Sequence, residues 1–503
     1  MMYSAVELKF SAVHFLAGKA VSALLTLIIL LLLIRILSTE EYGMYVLLVA
    51  GMELVMAVLS FGLPWLAARY LPEFRLHGGG LVVPFVWRII ALLACALVVG
   101  STVLFFVGHW LLPADLLHYA HVVRLFLFVL LLEGLSRYIR ENILGPLMQQ
   151  KIAQITLVIR NFVVLALIGI FFLSTEISLW HVICAEIFAS ALGLALLFKG
   201  LARHLNTYRN RDANANWVRP DWNRMWRVAR NMYFNNLIIL TYSPQVLILL
   251  TQRYLGIEAT ALFGFLCKLY LQIVNYLPAT LLFSLIQPKL VASYIHAGNM
   301  GELIRNANLA GKLSLFVLMP LVASVWLIGD ELLNLLSDGK FVLSGNYMTG
   351  LMVAMIPFSQ RRILETIAVT IDKNHIILFS GFLGVFSLPI AYGLIQMEYG
   401  LWGPVIAMVV SQIFFNAVIV YFLVYNTTYR PDSIGFLKLM AAALSVFVVA
   451  YIPFPQSGGW LYLIGMILCV TGFFLLTAYF LKPFRPEERD RLNGFFKKKL
   501  FVW

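Results

Sequence analysis

Residues 347–371 read YMTGLMVAMIPFSQRRILETIAVTI. As a helix rising about 1.5 Å per residue, this stretch is long enough to cross a hydrocarbon core of about 30 Å. Arg361 and Arg362 lie well inside it, four residues after Pro357. A guanidinium cannot shed its proton to escape an apolar setting, so its charge has to be satisfied or used. Working outward, further apolar segments fill the chain. They predict fourteen helices near 12–37, 44–66, 84–107, 121–147, 153–173, 178–198, 229–251, 260–285, 313–335, 347–371, 375–395, 401–425, 435–452 and 459–481. Long unbroken apolar runs exclude a membrane barrel, whose strands are short and alternate in polarity. The expected fold class is an all-α polytopic membrane protein.

Composition agrees. Of 503 residues, 61% are hydrophobic and 12% charged, about half the charged share of an ordinary soluble domain. No stretch outside the apolar segments is long enough for a soluble domain or a basic nucleic-acid-binding face. Cys95, Cys184, Cys267 and Cys469 all fall within apolar segments and are widely separated, so neither a metal site nor a disulfide framework is expected. No cofactor motif occurs, and the lack of a Walker sequence argues against ATP hydrolysis. The apolar run after Phe10 continues to Leu37. That is too long for a cleavable signal and reads as the first span.

Charge sets the direction. Residues 199–230 hold Lys199, Arg203, Arg209, Arg211, Arg219, Arg224, Arg227 and Arg230, and 482–503 hold seven further Lys and Arg. The opposite loops carry only Arg253 and Lys340 as basic residues. The positive-inside rule then places both termini in the cytoplasm. The expected organisation is a six-helix bundle at 1–200, a basic cytoplasmic linker at 201–228, a second bundle at 229–427, two extra helices within 428–481, and a basic amphipathic tail at 482–503. Phe495, Phe496, Leu500, Phe501 and Trp503 among the tail lysines suggest a segment lying on the inner membrane surface.

The halves match at a nearly constant offset. Arg35-Ile-Leu-Ser-Thr-Glu40 parallels Arg253-Tyr-Leu-Gly-Ile-Glu258, and Tyr45 parallels Phe263. Arg140 parallels Arg362, Lys151 parallels Lys373, and Leu179-Trp180 parallels Leu401-Trp402. Six helices per repeat keep one orientation. The two bundles are therefore expected to be related by a pseudo-two-fold axis along the membrane normal.

Phe15-Leu-Ala-Gly18-Lys19 and Arg35-Ile-Leu-Ser-Thr-Glu-Glu-Tyr42-Gly43-Met-Tyr45 resemble the opening of the prokaryotic Wzx-type polysaccharide transporters. These are oligosaccharide flippases of the multidrug/oligosaccharidyl-lipid/polysaccharide exporter superfamily. The architecture of two six-helix bundles plus a last pair resembles theirs over essentially the full length. The resemblance implies a flippase of the cytoplasmic (inner) membrane. Its cargo would be an undecaprenyl-pyrophosphate-linked oligosaccharide, a repeat unit of O-antigen, capsule or exopolysaccharide. Its partners would be membrane lipids and the polysaccharide polymerase and export proteins. It implies a transporter, not an enzyme.

The charges inside the predicted spans allow two readings. Glu133, Arg137 and Glu141 are spaced i, i+4, i+8 on one face of the fourth helix, with Arg140 beside them; Glu365 can reach Arg361 or Arg362. They form either ion pairs that stitch helices together or a cationic lumen for pyrophosphate, which the planar guanidinium fork suits. Lys19 lies inside the first helix and faces either the interface or a cavity. Glu53 and Glu186 stand alone within their segments, as cross-helix partners or as protonatable coupling groups. Asn231 and Asn235 share a face and can bind sugar hydroxyls or a neighbouring helix. Pro244 and Pro357 are expected to mark hinges. Two related functions compete: a lipid II flippase, and a multidrug cation exporter, which Arg137, Arg140, Arg361 and Arg362 against Glu133, Glu141 and Glu365 in the fourth and tenth helices disfavour.

Overall fold

The computed structural model describes residues 5–174, 176–214, 217–277, 300–371, 373–451, 459–496 and 501–503. Helices follow one another with no strand among the described residues. Eleven of them are long and apolar enough to cross a bilayer. Contacts divide the chain into two units: Met1–Leu240 with Gly256–Ala261, and Thr241–Leu255 with Leu262–Trp503.

The first unit contains α1 (Ala5–Ile36), α2 (Thr39–Leu59), α3 (Leu63–His77), α4 (Val82–Val107), α5 (Ala120–Tyr138), α6 (Gln150–Ser174), α7 (Leu179–Asn206) and most of α8 (Trp222–Thr241). α5 continues as a π-helical turn over Ile139–Leu144. The opening motif explains itself at the α1–α2 corner. Ser38 Oγ accepts from Glu41 N at 3.1 Å while Ser38 N donates to Glu41 Oε2 at 3.2 Å, a reciprocal cap that starts α2. Glu41 Oε1 also accepts from Leu179 N at 3.0 Å and so fixes the start of α7. Gly43 has no room for a side chain: an added Cβ would lie 2.6 Å from Ile257 O.

The second span is shorter than expected and earlier in the chain. Phe61 and Gly62 adopt positive φ (45° and 78°), which ends α2, and α3 begins with a proline in its first turn. Pro64 can start a helix because its missing N–H would be unpaired there anyway. The span predicted at 44–66 is therefore α2, and α3 is a separate helix.

The second unit contains α9 (Pro244–Tyr276) apart from Gly256–Ala261, then α10 (Met300–Ser337), α11 (Gly345–Thr370), α12 (Asn374–Gly384), α13 (Ser387–Gln396), α14 (Trp402–Asn426), α15 (Ser433–Ser445), α16 (Trp460–Leu481) and α17 (Pro486–Phe496). Its core lies between α10, α11 and α14, where Leu303, Ile367, Phe415, Ile419 and Leu423 are fully buried. Phe415, Ile419 and Leu423 recur every four residues, the stripe by which one helix meets its neighbours. In lipid, this packing is stabilised by close fit more than by exclusion of water.

Two expectations change here. The helix predicted over 229–251 is broken at Tyr242 and Ser243, and Pro244 opens α9 instead of weakening a continuous helix. Within α9, Gly256 has φ 84° and ψ −177°, so the chain turns on a single glycine. The last eight residues of the helix expected at 260–285 lie outside the described residues. Pro357, by contrast, sits inside α11, and Asn416 Nδ2 donates to its carbonyl at 2.5 Å.

The set of eleven differs from the predicted fourteen at α8, α11 and α15. α8 carries Arg224, Arg227 and Arg230, α11 carries Arg361, Arg362 and Glu365, and α15 belongs to a shorter apolar helix. Part of the tail is anchored to the second unit. Trp503 Nε1 donates to Leu475 O at 2.9 Å, and Asn493 exchanges two hydrogen bonds with the Phe501 backbone. Phe501 and Trp503 pack on Phe316 with centroids 5.6 and 5.5 Å away. These two rings pack on protein; Lys497, Lys498, Lys499 and Leu500 lie outside the described residues.

Candidate functional site

In the first unit, four helices bring their charges to one place and a fifth, α1, adds hydroxyls. Arg160 of α6 is the hub: its Nε lies 3.0 Å from Glu133 Oε2, and its Nη2 pairs with Glu186 of α7. Glu133 Oε1 receives Arg140 Nη2 at 2.6 Å, and Arg140 Nη1 donates to Ser136 Oγ at 2.7 Å. Tyr45 of α2 donates to Glu186 Oε1 at 3.1 Å. Asn161, beside Arg160, accepts from it at 3.2 Å and donates to Ser22 and Thr26 of α1 at 3.1 and 3.2 Å. Arg140, Glu133, Arg160 and Glu186 are each at most 12% exposed, and buried charges persist only when partnered this completely.

The network opens at one end. Arg137 lies 3.3 Å from Glu53 and 3.1 Å from Glu141, and the Arg137 and Glu141 side chains are 39% and 60% exposed. Glu53 and Glu186, alone in their segments, are thus cross-helix partners. Arg137, Arg140 and Arg160 face Glu53, Glu133, Glu141 and Glu186, so the cluster carries more acid than base. Pairing, not a bare cationic wall, describes the fourth predicted helix.

In the second unit, Arg361 Nε binds Glu365 Oε1 at 2.8 Å, its Nη1 reaches Gln412 Oε1 at 3.4 Å, and its guanidinium lies 3.8 Å from the centre of the Phe415 ring. Tyr242, in the break before α9, sits within electrostatic reach of the same guanidinium. Arg362 points elsewhere. It is exposed and has no carboxylate partner among the described residues. It lies eight residues from the end of α11, about 12 Å along the axis. The two adjacent arginines therefore divide roles: one is neutralised, one is available.

The remaining predicted residues are spread out. Lys19 is partly buried in α1. Asn231 of α8 is exposed, and Asn235 keeps a buried carbonyl oxygen without a hydrogen-bond partner among the described residues. Sequence reasoning missed Arg160, although an arginine seven residues into the apolar run 153–173 carries the same signal as Arg361. It also missed Lys312. That ammonium is fully buried on α10, 2.7 Å from Asp432, paired with Glu488 of α17, and 3.4 Å from Pro483 O. Lys312 immediately precedes the predicted span at 313 and so reads as an interfacial end. Burial alone would raise the Asp432 pKa; the hydrogen bond and charge of Lys312 outweigh it and hold the carboxyl below the ordinary value.

The duplication is asymmetric at this site. At the offset of 222 residues, Glu133, Arg160 and Glu186 correspond to Met355, Phe382 and Met408, and Tyr45 already corresponds to Phe263. The repeats share a frame and differ in chemistry.

With no strand among the described residues and eleven helices long and apolar enough to cross a bilayer, the chain is a polytopic membrane protein. Residues 11–285 match the family described as polysaccharide biosynthesis protein, and the chain belongs to that family. No curated protein matches it by sequence. Its structure is similar to that of the lipid II flippase MurJ in an inward closed conformation, with a TM-score of 0.70 and 14% identity over 93% of this chain and 98% of that one. It is also similar to an inward-facing multidrug resistance MATE family transporter of the MOP superfamily, with a TM-score of 0.60 and 13% identity over 82% and 97% of the two chains. A MATE transporter of Vibrio cholerae, VcmN, gives a TM-score of 0.53 at 13% identity over 83% and 98%. At these identities the likeness is one of fold, and the fold is that of the MOP exporters.

Proposed function

We propose that this protein is a flippase that carries a polyprenyl-pyrophosphate-linked oligosaccharide from the inner to the outer leaflet by alternating access. The glycan would be a repeat unit of O-antigen, capsule or exopolysaccharide. The observation that carries the reading is Arg362, a cation on a helix predicted to span, with no carboxylate partner among the described residues. A guanidinium facing hydrocarbon is expensive, so on such a helix it faces water or an anion. Membership of the polysaccharide biosynthesis family supports the phosphate of a lipid-linked glycan as that anion. Arg362 and the exposed half of Arg137 are the proposed phosphate contacts, with Lys19 contributing charge. Arg361 and Arg140 position their helices through Glu365 and Glu133. Asn231 and Asn235 offer donors and acceptors to sugar hydroxyls. Pro244 and Pro357 are the proposed hinges. Polymerase and export proteins are proposed partners, and the cytoplasmic (inner) membrane, with both termini inside, is the proposed location.

The experiment is the level of lipid-linked oligosaccharide in cells lacking the protein, complemented with wild type or Arg362→Ala at equal expression. Accumulation relieved by wild type and not by the variant supports the reading. No accumulation removes it.

A second reading has one observation behind it. Counting Arg160, Glu53 and Glu186 with Arg137, Arg140, Arg361, Arg362, Glu133, Glu141 and Glu365 brings arginines and glutamates level, and within the first unit's charge cluster acid exceeds base. The charge argument against an organic-cation exporter is therefore weaker than the fourth and tenth predicted helices alone suggest. Cation efflux without glycan accumulation would select that reading.

A further inference from the structure

A groove of 290 Å³ runs between α1 and α6 of the first unit. Ala17 and Val21 line one side, Ile155, Val158 and Ile159 the other, and Lys151 stands at its end. The helices are parallel here: Gly18 lies against Gln154, where an added Cβ would come within 2.5 Å of Gln154 Cβ, and Asn161 bonds Ser22 and Thr26 further along. Both segments belong to candidate spans. The groove wall is almost wholly carbon, and Val21 and Ile155 are 48% and 46% exposed. In a bilayer such a groove is filled by a hydrocarbon chain, since an unfilled one forfeits the contacts of its lining atoms. Its size is at the low end for a small-molecule site of about 300–1,000 Å³, room for part of one chain.

Lys151 decides which lipid. It is exposed in the first turn of α6 and has no carboxylate partner among the described residues. It therefore meets the headgroup of whatever chain occupies the groove. One ammonium matches the single negative charge of a phosphodiester; a pyrophosphate, with more charge to offset, calls for a forked or multiple cationic partner. We propose that this groove is a binding site for an anionic phospholipid, with one acyl chain between α1 and α6 and its phosphodiester on Lys151. The site is separate from the residues assigned to cargo and stands whether or not the flippase reading holds.

The test is native mass spectrometry of delipidated protein titrated with dioleoyl-phosphatidylglycerol or dioleoyl-phosphatidylethanolamine. Wild type should retain phosphatidylglycerol about five-fold better, the effect of one lysine near an anionic headgroup. Lys151→Gln should abolish that preference while leaving the weaker, chain-driven binding. Ile155→Trp, which fills the groove from an exposed position, should remove the tight adduct for both lipids. An unchanged preference in Lys151→Gln overturns the proposal, and so does an unchanged adduct in Ile155→Trp at wild-type melting temperature. Stronger retention of undecaprenyl phosphate than of phosphatidylglycerol by wild type would overturn the choice of occupant.

Discussion

Replacing Arg160 with alanine removes the hub of the first unit. Glu133 retains Arg140 at 2.6 Å, but Glu186 is left with only the Tyr45 hydroxyl at 3.1 Å. Breaking a buried pair by deleting one partner costs about 3–5 kcal/mol. The Tyr45 hydroxyl still bonds Glu186, which places the loss at the low end of that range, about 3 kcal/mol. Asn161 also loses a donor, so its links to α1 weaken. For a unit of this size each kcal/mol shifts the melting temperature by about 2–4 °C, so the expected fall is about 6–12 °C. Glu186→Gln alone should cost only about 1–2 kcal/mol, because Arg160 keeps Glu133 at 3.0 Å. The double variant Arg160→Met with Glu186→Gln should recover part of the loss, since no unpaired carboxylate remains at position 186. The assay is thermal unfolding in detergent, followed by tryptophan fluorescence. A shift below 2 °C for Arg160→Ala would refute the hub.

Further predictions concern the second unit and the corner at Ser38. Lys312→Met takes the buried ammonium from Asp432 and Glu488, but Asp432 keeps Arg485 at 3.3 Å and Glu488 keeps Arg485 N at 2.8 Å; the loss should lie at the low end for a broken buried pair, about 3 kcal/mol, read as faster hydrogen exchange across Pro486–Phe496. The Asp432 carboxyl is held below its ordinary pKa, so its contribution is complete above the unfolded value and is lost as pH falls through the folded one. Protection of Pro486–Phe496 should hold at neutral pH and decline below about pH 4, and Asp432→Asn should remove the acid step. Arg362→Ala should leave the melting temperature within about 2 °C and cut glycan translocation at least about ten-fold, whereas Arg361→Ala should lower both, because Glu365 loses its partner. Gly43→Ala forces a methyl toward Ile257 O and should cost about 1–3 kcal/mol, with a melting shift of several degrees.

The fold was legible because apolar length decides it, and ends were legible only where local chemistry marks them. Ser38 and Glu41 announce the start of α2. Pro244 marks a boundary too, but a proline reads alike in the first turn and in the middle of a helix; only the break at Tyr242 and Ser243 before it tells which. The site was partly legible. Arg361–Glu365 and Arg137–Glu141 are neighbours in sequence and follow helical spacing. Arg160–Glu133, Glu53–Arg137 and Lys312–Asp432 join residues far apart in the chain, and one sequence holds no trace of such pairs. Arg361 and Arg362 are chemically identical on paper; one step of about 100° around the helix turns one into Phe415 and Gln412 and leaves the other exposed.

The most direct measurement places purified protein in liposomes with a fluorescent polyprenyl-pyrophosphate oligosaccharide in both leaflets. A membrane-impermeant quencher then reads the fraction exposed outside. The account predicts quenching of nearly all the label with wild type and about half with Arg362→Ala. Quenching that stops at half with both proteins would contradict translocation, and full quenching with both would leave the flippase and remove Arg362 from its cargo site.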